Sequence, residues 1–146
     1  MIKKIAIWFL CLSVLFGQFS MAEEKFLSLK KSKVNVRYGP SFDSKIKYIY
    51  KKINLPIKQI DQKENFRRIV DLKNNSGWIH ISQIKKSNSI IILEDKILYK
   101  KPSNFSKPIA KLEKGRLLIL KKCENIWCNV KTEDYSGWVK TENIWG

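Results

Sequence analysis

A short motif written twice places the strongest constraint on how this chain folds. Residues 75–84 read NSGWIHISQI and residues 135–144 read YSGWVKTENI, so Ser-Gly-Trp recurs after sixty positions. Such internal self-similarity indicates a small structural unit that is built twice. Other segments keep the same order with offsets of 60 to 62 positions: Pro40-Ser41 with Pro102-Ser103, Leu55-Pro56-Ile57 with Gly115-Arg116-Leu117, and Glu64-Asn65 with Glu124-Asn125.

Within each unit, short apolar stretches alternate with turn-forming residues. Segments 34–36 and 78–81 show the alternation of a half-buried strand, whereas 39–41 and 74–77 carry Gly, Pro, Asn and Ser. Residues 26–146 contain no convincing amphipathic helix, so the pattern predicts an all-β chain. A unit of about 50 residues is too short for a sandwich but long enough for a five-stranded barrel that closes on itself. We therefore predict two tandem small β-barrels.

The N-terminal segment has the organisation of a secretory signal peptide. A basic start, MIKK, precedes the apolar run IAIWFLCLSVLF, and Ser20-Met21-Ala22 has the small-x-small pattern of a cleavage site. We predict a helical signal peptide over 1–22 that is cleaved before Glu23. The apolar run is short for a membrane span, which needs roughly 20 residues, and no second run follows. We therefore expect an exported protein of the periplasm or cell envelope, with no transmembrane segment after cleavage.

Basic side chains outnumber acidic ones by 29 to 13, and removing Lys3 and Lys4 with the signal peptide leaves a net charge of about +14. This surplus favours anionic envelope polymers as partners. The basic residues are nearly all Lys, in a chain also rich in Ile, Asn and Ser, and AT-biased codon usage produces the same composition. Both explanations of the charge stay open. Export from the cytoplasm argues against nucleic acid as the ligand.

Two cysteines, Cys123 and Cys128, follow the predicted cleavage site. An exported protein occupies an oxidising compartment, so an even number of cysteines favours a disulfide. A zinc site is the alternative, but His80 is the single histidine and carboxylates would have to complete the ligand set. We expect a Cys123–Cys128 disulfide, no metal and no cofactor.

The residue types that catalysis requires are not arranged as a catalytic site. After the predicted cleavage site the chain has one His, two cysteines that the expected disulfide consumes, and no Gly-rich phosphate loop, HExxH or GxSxG motif. Glu64 and Asp71 are not spaced like a catalytic pair of carboxylates. An enzyme needs at least a nucleophile or an acid–base pair within reach of each other. We therefore expect a non-catalytic protein.

Four separated motifs resemble bacterial SH3 (SH3b) domains of exported proteins with two such repeats: VNVRYGPSFDS at 34–44, YKKINLPIKQI at 50–60, ENFRRIVD at 64–71 and SGWIHISQI at 76–84. The second copy is more divergent, because ILYKKP at 97–102 stands where the first copy has NVRYGP. Together with the predicted signal peptide at 1–22, the resemblance implies this organisation: an N-terminal linker at 23–32, a first SH3b-like domain at 33–84, a linker or strand at 85–94, and a divergent second domain at 95–146.

The alternation of the strands also predicts which side chains point inward. We expect Asn75-Ser76-Gly77 to supply the positive φ angles that a tight hairpin turn demands. Successive side chains of a strand point to opposite faces. The side chains expected inside the barrel are Val34, Val36, Ile79 and Ile81, and those expected on the opposite face are Asn35, Arg37, Trp78 and His80.

The resemblance implies a shallow aromatic-lined groove that binds extended peptide, either a segment of an envelope protein or a peptidoglycan stem peptide. We expect the first copy to keep the open groove and the second copy to be mainly structural, because the second lacks the NVRYGP motif and gains Trp127 and the cysteines. The expected groove residues of the first copy are Arg37, Tyr38, Phe42, Trp78 and His80, and those of the second copy are Tyr99, Phe105 and Trp138.

Other interpretations of these residues stay open. A Trp after Gly at a strand start could cover the barrel end or pack the two copies together, and His80 could be an ordinary surface residue. Arg37 could pair with Asp43 or Asp71. The whole protein could be a rigid structural adaptor in the periplasm with no small ligand, or it could bind anionic envelope polymers through its lysines.

Overall fold

A computed structural model describes residues 23–146, which are all β apart from a 3₁₀ turn at Ile81–Gln83. The predicted signal peptide, 1–22, lies outside the described residues. Two tandem β units confirm the predicted fold class. The first unit contains β1 Lys25–Leu29, β2 Val34–Arg37, β3 Ile46–Tyr50, β4 Pro56–Lys63, β5 Phe66–Val70, β6 Ser76–His80 and β7 Ile84–Lys86. The second contains β8 Ser89–Ile92, β9 Lys96–Tyr99, β10 Pro108–Leu112, β11 Leu117–Glu124, β12 Trp127–Lys131, β13 Ser136–Lys140 and β14 Ile144–Trp145.

The two units have the same sheet topology. The strand order is β3-β2-β6-β5-β4-β1-β7 in the first sheet and β10-β9-β13-β12-β11-β8-β14 in the second. Each strand of the second sheet therefore occupies the place of the strand seven earlier in the chain. The pairing registers also match, since Trp78 lies opposite Arg37 and Trp138 lies opposite Tyr99. The repeat seen in the sequence is thus a repeat of whole sheets.

The structure differs from the expected domain boundaries at the start of each unit. Segment 23–32, expected as a linker, contains β1, which pairs with both β4 and β7. Segment 85–94 contains β8, which pairs with β11 and β14 inside the second unit. Each of these strands ends in a fully buried apolar residue, Leu29 or Ile92. The expectation of an N-terminal linker is therefore wrong, because this segment supplies a strand that the sheet needs.

A separate apolar core fills each unit. Fully burying one Val, Leu or Ile side chain contributes about 1.5–3 kcal/mol, so each core is a main source of stability for its unit. The first core contains Leu29, Val34, Val36, Ile57, Ile69 and Ile79. The second contains Ile90, Ile92, Leu98, Leu112, Leu118, Cys128, Val130 and Val139.

The inward-facing residues of the first unit match the predicted alternation with one exception. Val34, Val36 and Ile79 are fully buried, as predicted. Ile81 is 39% exposed, so its predicted inward position is wrong. The alternation ends there because β6 stops at His80 and the chain turns into the 3₁₀ turn.

Polar and aromatic contacts join the two units. The hydroxyls of Ser28 and Ser89 lie 2.9 Å apart, and both residues are fully buried. Near the C-terminus, the indole N–H of Trp145 donates to the carbonyl of Pro56 at 3.1 Å. The Trp145 ring also packs edge-on against Phe26, with ring centroids 5.1 Å apart. The second unit is therefore fixed against β1 and β4 of the first.

The hairpin of β11 and β12 carries the expected disulfide. Cys123 and Cys128 are bonded to each other and are directly opposite across the two strands, with Cα atoms 4.0 Å apart. In the first unit, Gln62 and Arg67 occupy the corresponding cross-strand pair. The same hairpin is thus built once with the covalent bond and once without it.

Candidate ligand-binding surface

The glycine of each Ser-Gly-Trp motif lies within a strand and not in the turn. A Cβ atom on Gly77 would overlap the Val36 side chain and would lie 3.0 Å from the Arg37 carbonyl oxygen. A Cβ atom on Gly137 would lie 2.6 Å from the Tyr99 carbonyl oxygen. The residue of the preceding turn with positive φ is Asn74, at 66°. The prediction that Asn75-Ser76-Gly77 supplies the turn angles is therefore wrong, and close strand approach explains the glycine.

The strand pairing places Trp78 between two arginines. Arg37 is its partner on β2, and Arg68 is its partner on β5. Directly opposed residues of antiparallel strands project from the same face of the sheet. An open pocket of about 290 Å³ lies on this face. The residues that line it are Arg37, Tyr38, Lys47, Arg68, Ser76, Gly77 and Trp78.

Arg37 orders the loop between β2 and β3. Its Nη1 donates to the carbonyl oxygens of Phe42 at 3.1 Å and Ser44 at 2.9 Å. Its guanidinium carbon also lies 5.6 Å from the centroid of the Phe42 ring. The interpretation in which Arg37 pairs with Asp43 or Asp71 is not what the structure shows.

An aromatic cluster lies beside Arg37, next to the Trp78 pocket, and is formed by Phe42, Phe66 and His80. The ring centroids of Phe42 and His80 are 4.8 Å apart, and Phe66 lies 5.2 Å from Phe42 and 5.1 Å from His80. His80 also caps the 3₁₀ turn, because its Nδ1 accepts from the Ser82 backbone N–H at 3.3 Å. Phe42 remains 62% exposed. The cluster thus presents the exposed Phe42 ring against the buried Phe66 ring and the half-buried His80 ring.

The five residues expected in the groove therefore form two adjacent groups. Trp78 and Tyr38 line the pocket, whereas Phe42 and His80 belong to the aromatic cluster, and Arg37 contacts both groups. Lys47, Phe66 and Arg68 also lie at this surface and were not predicted from the sequence. Arg68 could have been found from the strand register, because it is directly opposite Trp78 once β5 and β6 are paired.

A hydrogen-bonded chain fixes the turn that leads into β6. The Tyr50 hydroxyl donates to Asp71 at 2.9 Å and lies 3.2 Å from the Tyr48 hydroxyl. Asp71 also accepts from the backbone N–H groups of Lys73 and Asn75. Burial raises the pKa of Tyr50 well above its ordinary range, and its bonds to Tyr48 and Asp71 raise it further. The turn therefore fixes the start of β6, where Ser76, Gly77 and Trp78 lie.

The corresponding face of the second unit has different chemistry. In its aligned strands, Tyr99, Ile109 and Asn129 stand where the first unit has Arg37, Lys47 and Arg68. Trp138 is only 9% exposed, and Tyr99 packs edge-on against Trp127 at 5.6 Å. The structure does not bring Phe105 to this group. Phe105 is fully exposed and aligns with Asp43, because each donates its backbone N–H to the serine two residues earlier.

The family model described as "Bacterial SH3 domain" matches residues 30–86 and 95–146, which together are most of the chain. The chain belongs to the bacterial SH3 domain family. Both matched regions are bacterial SH3 domains, and each lies within one β unit but leaves out the first strand of that unit, β1 or β8. No curated protein matches the chain significantly.

Two solved structures of Trichomonas vaginalis proteins align with most of this chain at low similarity. NlpC2 is 10% identical, with a TM-score of 0.39, and the match covers 84% of this chain and 48% of that chain. NlpC1 is also 10% identical, with a TM-score of 0.38, and the match covers 86% of this chain and 46% of that chain. The bacterial SH3 pair thus spans about half the length of these two proteins.

Within residues 23–146, no three His, Cys, Asp or Glu side chains gather as a metal site. Over the same residues, no helix is long and apolar enough to cross a membrane.

Proposed function

We propose that this bacterial SH3 pair is an exported, non-catalytic module that binds peptide in the cell envelope, either a peptidoglycan stem peptide or a segment of an envelope protein. The observation that carries the proposal is the open surface around Trp78 in the first domain. Tyr38 and Phe42 are 66% and 62% exposed at its edges. Grooves lined by aromatic rings between loops are the way SH3-like folds take extended peptides.

The exposed aromatic rings are held in position before any ligand arrives. Arg37 fixes the Phe42 loop through two carbonyls, and the Lys47 ammonium lies 5.6 Å from the Tyr38 ring. An ordered loop loses less conformational freedom when it binds, which favours affinity. Arg37, Tyr38, Phe42, Trp78 and His80 therefore remain the proposed contact residues, with Lys47 and Arg68 added.

The test of peptide binding is a sedimentation assay with isolated peptidoglycan, run beside a pull-down from envelope extract. Truncating a central aromatic residue of an interface typically costs about 2 kcal/mol or more. Trp78→Ala is therefore expected to reduce binding at least tenfold while the protein stays folded. Unchanged binding by a folded Trp78→Ala protein would contradict the proposed groove.

Export is part of the proposal and has its own test. The signal peptide over 1–22 predicts that the protein recovered from cells begins at Glu23. N-terminal sequencing checks this. A full-length chain in the cytoplasm would contradict the envelope location.

Two further functions have specific support. The fixed junction at Ser28–Ser89 and Trp145 suits a rigid structural adaptor.

The lysine surplus suits binding to anionic envelope polymers. Binding driven by exposed lysines weakens steeply as salt rises, since such charges are screened over about 10 Å at 0.1 M. Binding that survives 0.5 M NaCl would favour the aromatic groove over polymer binding.

A further inference from the structure

We propose that the pocket beside Trp78 binds a carboxylate group of the ligand through Arg37, Lys47 and Arg68. This inference rests on the proposed function, because it names the chemical group that the same site recognises. All three cations line one opening, and none of the other residues that line it carries an acidic side chain. The pocket is therefore electrostatically complementary to an anion.

The strand register makes the two arginines converge. Arg37 and Arg68 flank Trp78 on the neighbouring strands and project from the same face. Guanidinium groups present paired N–H donors that match the two oxygens of a carboxylate. The bonds from Arg37 to Phe42 and Ser44 use only Nη1, so the N–H groups on Nε and Nη2 remain for a ligand.

Lys47 is held at the edge of the pocket. Its ammonium donates to the Ser76 carbonyl at 2.9 Å and lies against the Tyr38 ring. An ammonium group has three donors, so this bond leaves two for a bound anion. The aromatic rings of Tyr38 and Trp78 then lie next to the anion site, where an apolar part of the ligand would pack.

The second domain shows that the fold does not require these cations. Its equivalent positions carry Tyr99, Ile109 and Asn129, which are all neutral. The lysine surplus does not explain them either. The chain has only four arginines, Arg37, Arg67, Arg68 and Arg116, and two of them line this pocket.

The second domain also supplies the test substitutions. Lys47→Ile with Arg68→Asn installs the residues that this fold already carries, and it leaves Arg37 to order its loop. Lys114→Ile with Arg116→Asn removes the same two charges from exposed loop positions of the second domain and is the matched control. Binding is measured on isolated peptidoglycan in two forms, native and with its carboxylates converted to amides.

We expect the pocket double variant to bind native peptidoglycan at least tenfold more weakly, with an unchanged melting temperature, and the control variant to bind like the wild type. Amidation should weaken the wild type at least tenfold and should weaken the pocket variant much less, because that variant keeps only Arg37 of the three cations. Equal losses in both variants would mean that net charge alone drives binding and would overturn the inference.

The two proposals fail in different ways. If Trp78→Ala weakens binding but neither amidation nor the pocket substitutions do, the groove stands and the carboxylate assignment is wrong. If the wild type binds neither form of the polymer, both the peptidoglycan ligand and the carboxylate inference are overturned.

Discussion

Single residues in this protein have roles that depend on the backbone around them. Gly77 is buried in β6 because β2 passes so close that no side chain fits. Trp78 follows on the outer face and enters the pocket, whereas Trp138 at the same place in the second domain is only 9% exposed. The glycine of the motif therefore allows close strand approach in both domains, but the tryptophan lines an open surface only in the first domain.

Gly77→Ala should destabilise the first domain. The new methyl group would overlap Val36, and forcing an extra carbon into a close-packed site typically costs about 1–3 kcal/mol. Urea unfolding measures this free energy. Ser76→Ala, one residue earlier on the same strand, should change stability by less than about 0.5 kcal/mol. A Gly77→Ala protein as stable as the Ser76→Ala control would contradict the close-approach explanation.

Tyr50 should make stability depend on pH in the alkaline range. Its pKa is raised in the folded protein, so above pH ~10 the unfolded chain loses a proton that the folded chain keeps. Its contribution to stability is therefore complete below pH ~10 and is lost as the pH rises further. Tyr50→Phe should be less stable at pH 8 but should lose less stability between pH 9 and 11. If the unfolding free energies of the wild type and Tyr50→Phe fell equally between pH 9 and 11, the proposed role of Tyr50 would be contradicted.

The strands of the two domains correspond one to one, and this repeat is why the fold class could be predicted from the sequence. The repeat, the turns and the alternation at Val34, Val36 and Ile79 were sufficient for the fold class, because period-two burial is a local signal. Segment 85–94 was expected as a linker or strand, and it contains β8. β1 was not recognised, because it is short and acquires its role only by pairing across the sheet. Lys47 and Arg68 were missed for the same reason, since their proximity to Trp78 depends on the strand register.

The β11–β12 hairpin should fold without its disulfide but be less stable. The bond closes a short loop, for which the chain-entropy treatment gives about 2 kcal/mol. The first domain builds the same hairpin with Gln62 and Arg67, so we expect the fold to survive reduction. Urea unfolding should show that a thiol reductant lowers the unfolding free energy of the wild type. The same reductant should not change the unfolding free energy of a Cys123→Ser/Cys128→Ala variant. Alkylation of both thiols in the native, unreduced protein would contradict the bond.

The whole molecule is a pair of domains with a polar and aromatic junction. Trp145 near the C-terminus contacts β1 and β4 of the first domain, and the buried Ser28–Ser89 pair lies between the domains. The junction fixes the direction in which the Trp78 surface faces relative to the second domain. The residues on the outer faces of the two domains differ, which is consistent with a second domain that mainly supports the first.

Trp145→Ala should weaken the coupling between the domains. It removes a hydrogen bond worth about 1 kcal/mol and an aromatic contact worth about 0.5–1.5 kcal/mol. We expect one unfolding transition in the wild type and two separate transitions in the variant, followed by calorimetry. Trp145→Phe, which keeps the ring but not the N–H group, should show an intermediate effect. Two transitions in the wild type would contradict a coupled pair.

The central claim is that the first domain binds and the second mainly supports it. The most direct measurement compares Trp78→Ala with Trp138→Ala, recording for each the affinity for isolated peptidoglycan and the melting temperature. Trp78→Ala should bind at least tenfold more weakly with little change in melting temperature, because Trp78 lines an open pocket. Trp138→Ala should mainly lower the melting temperature, because its ring is buried. A Trp78→Ala protein that unfolds, or that binds like the wild type, would contradict the account.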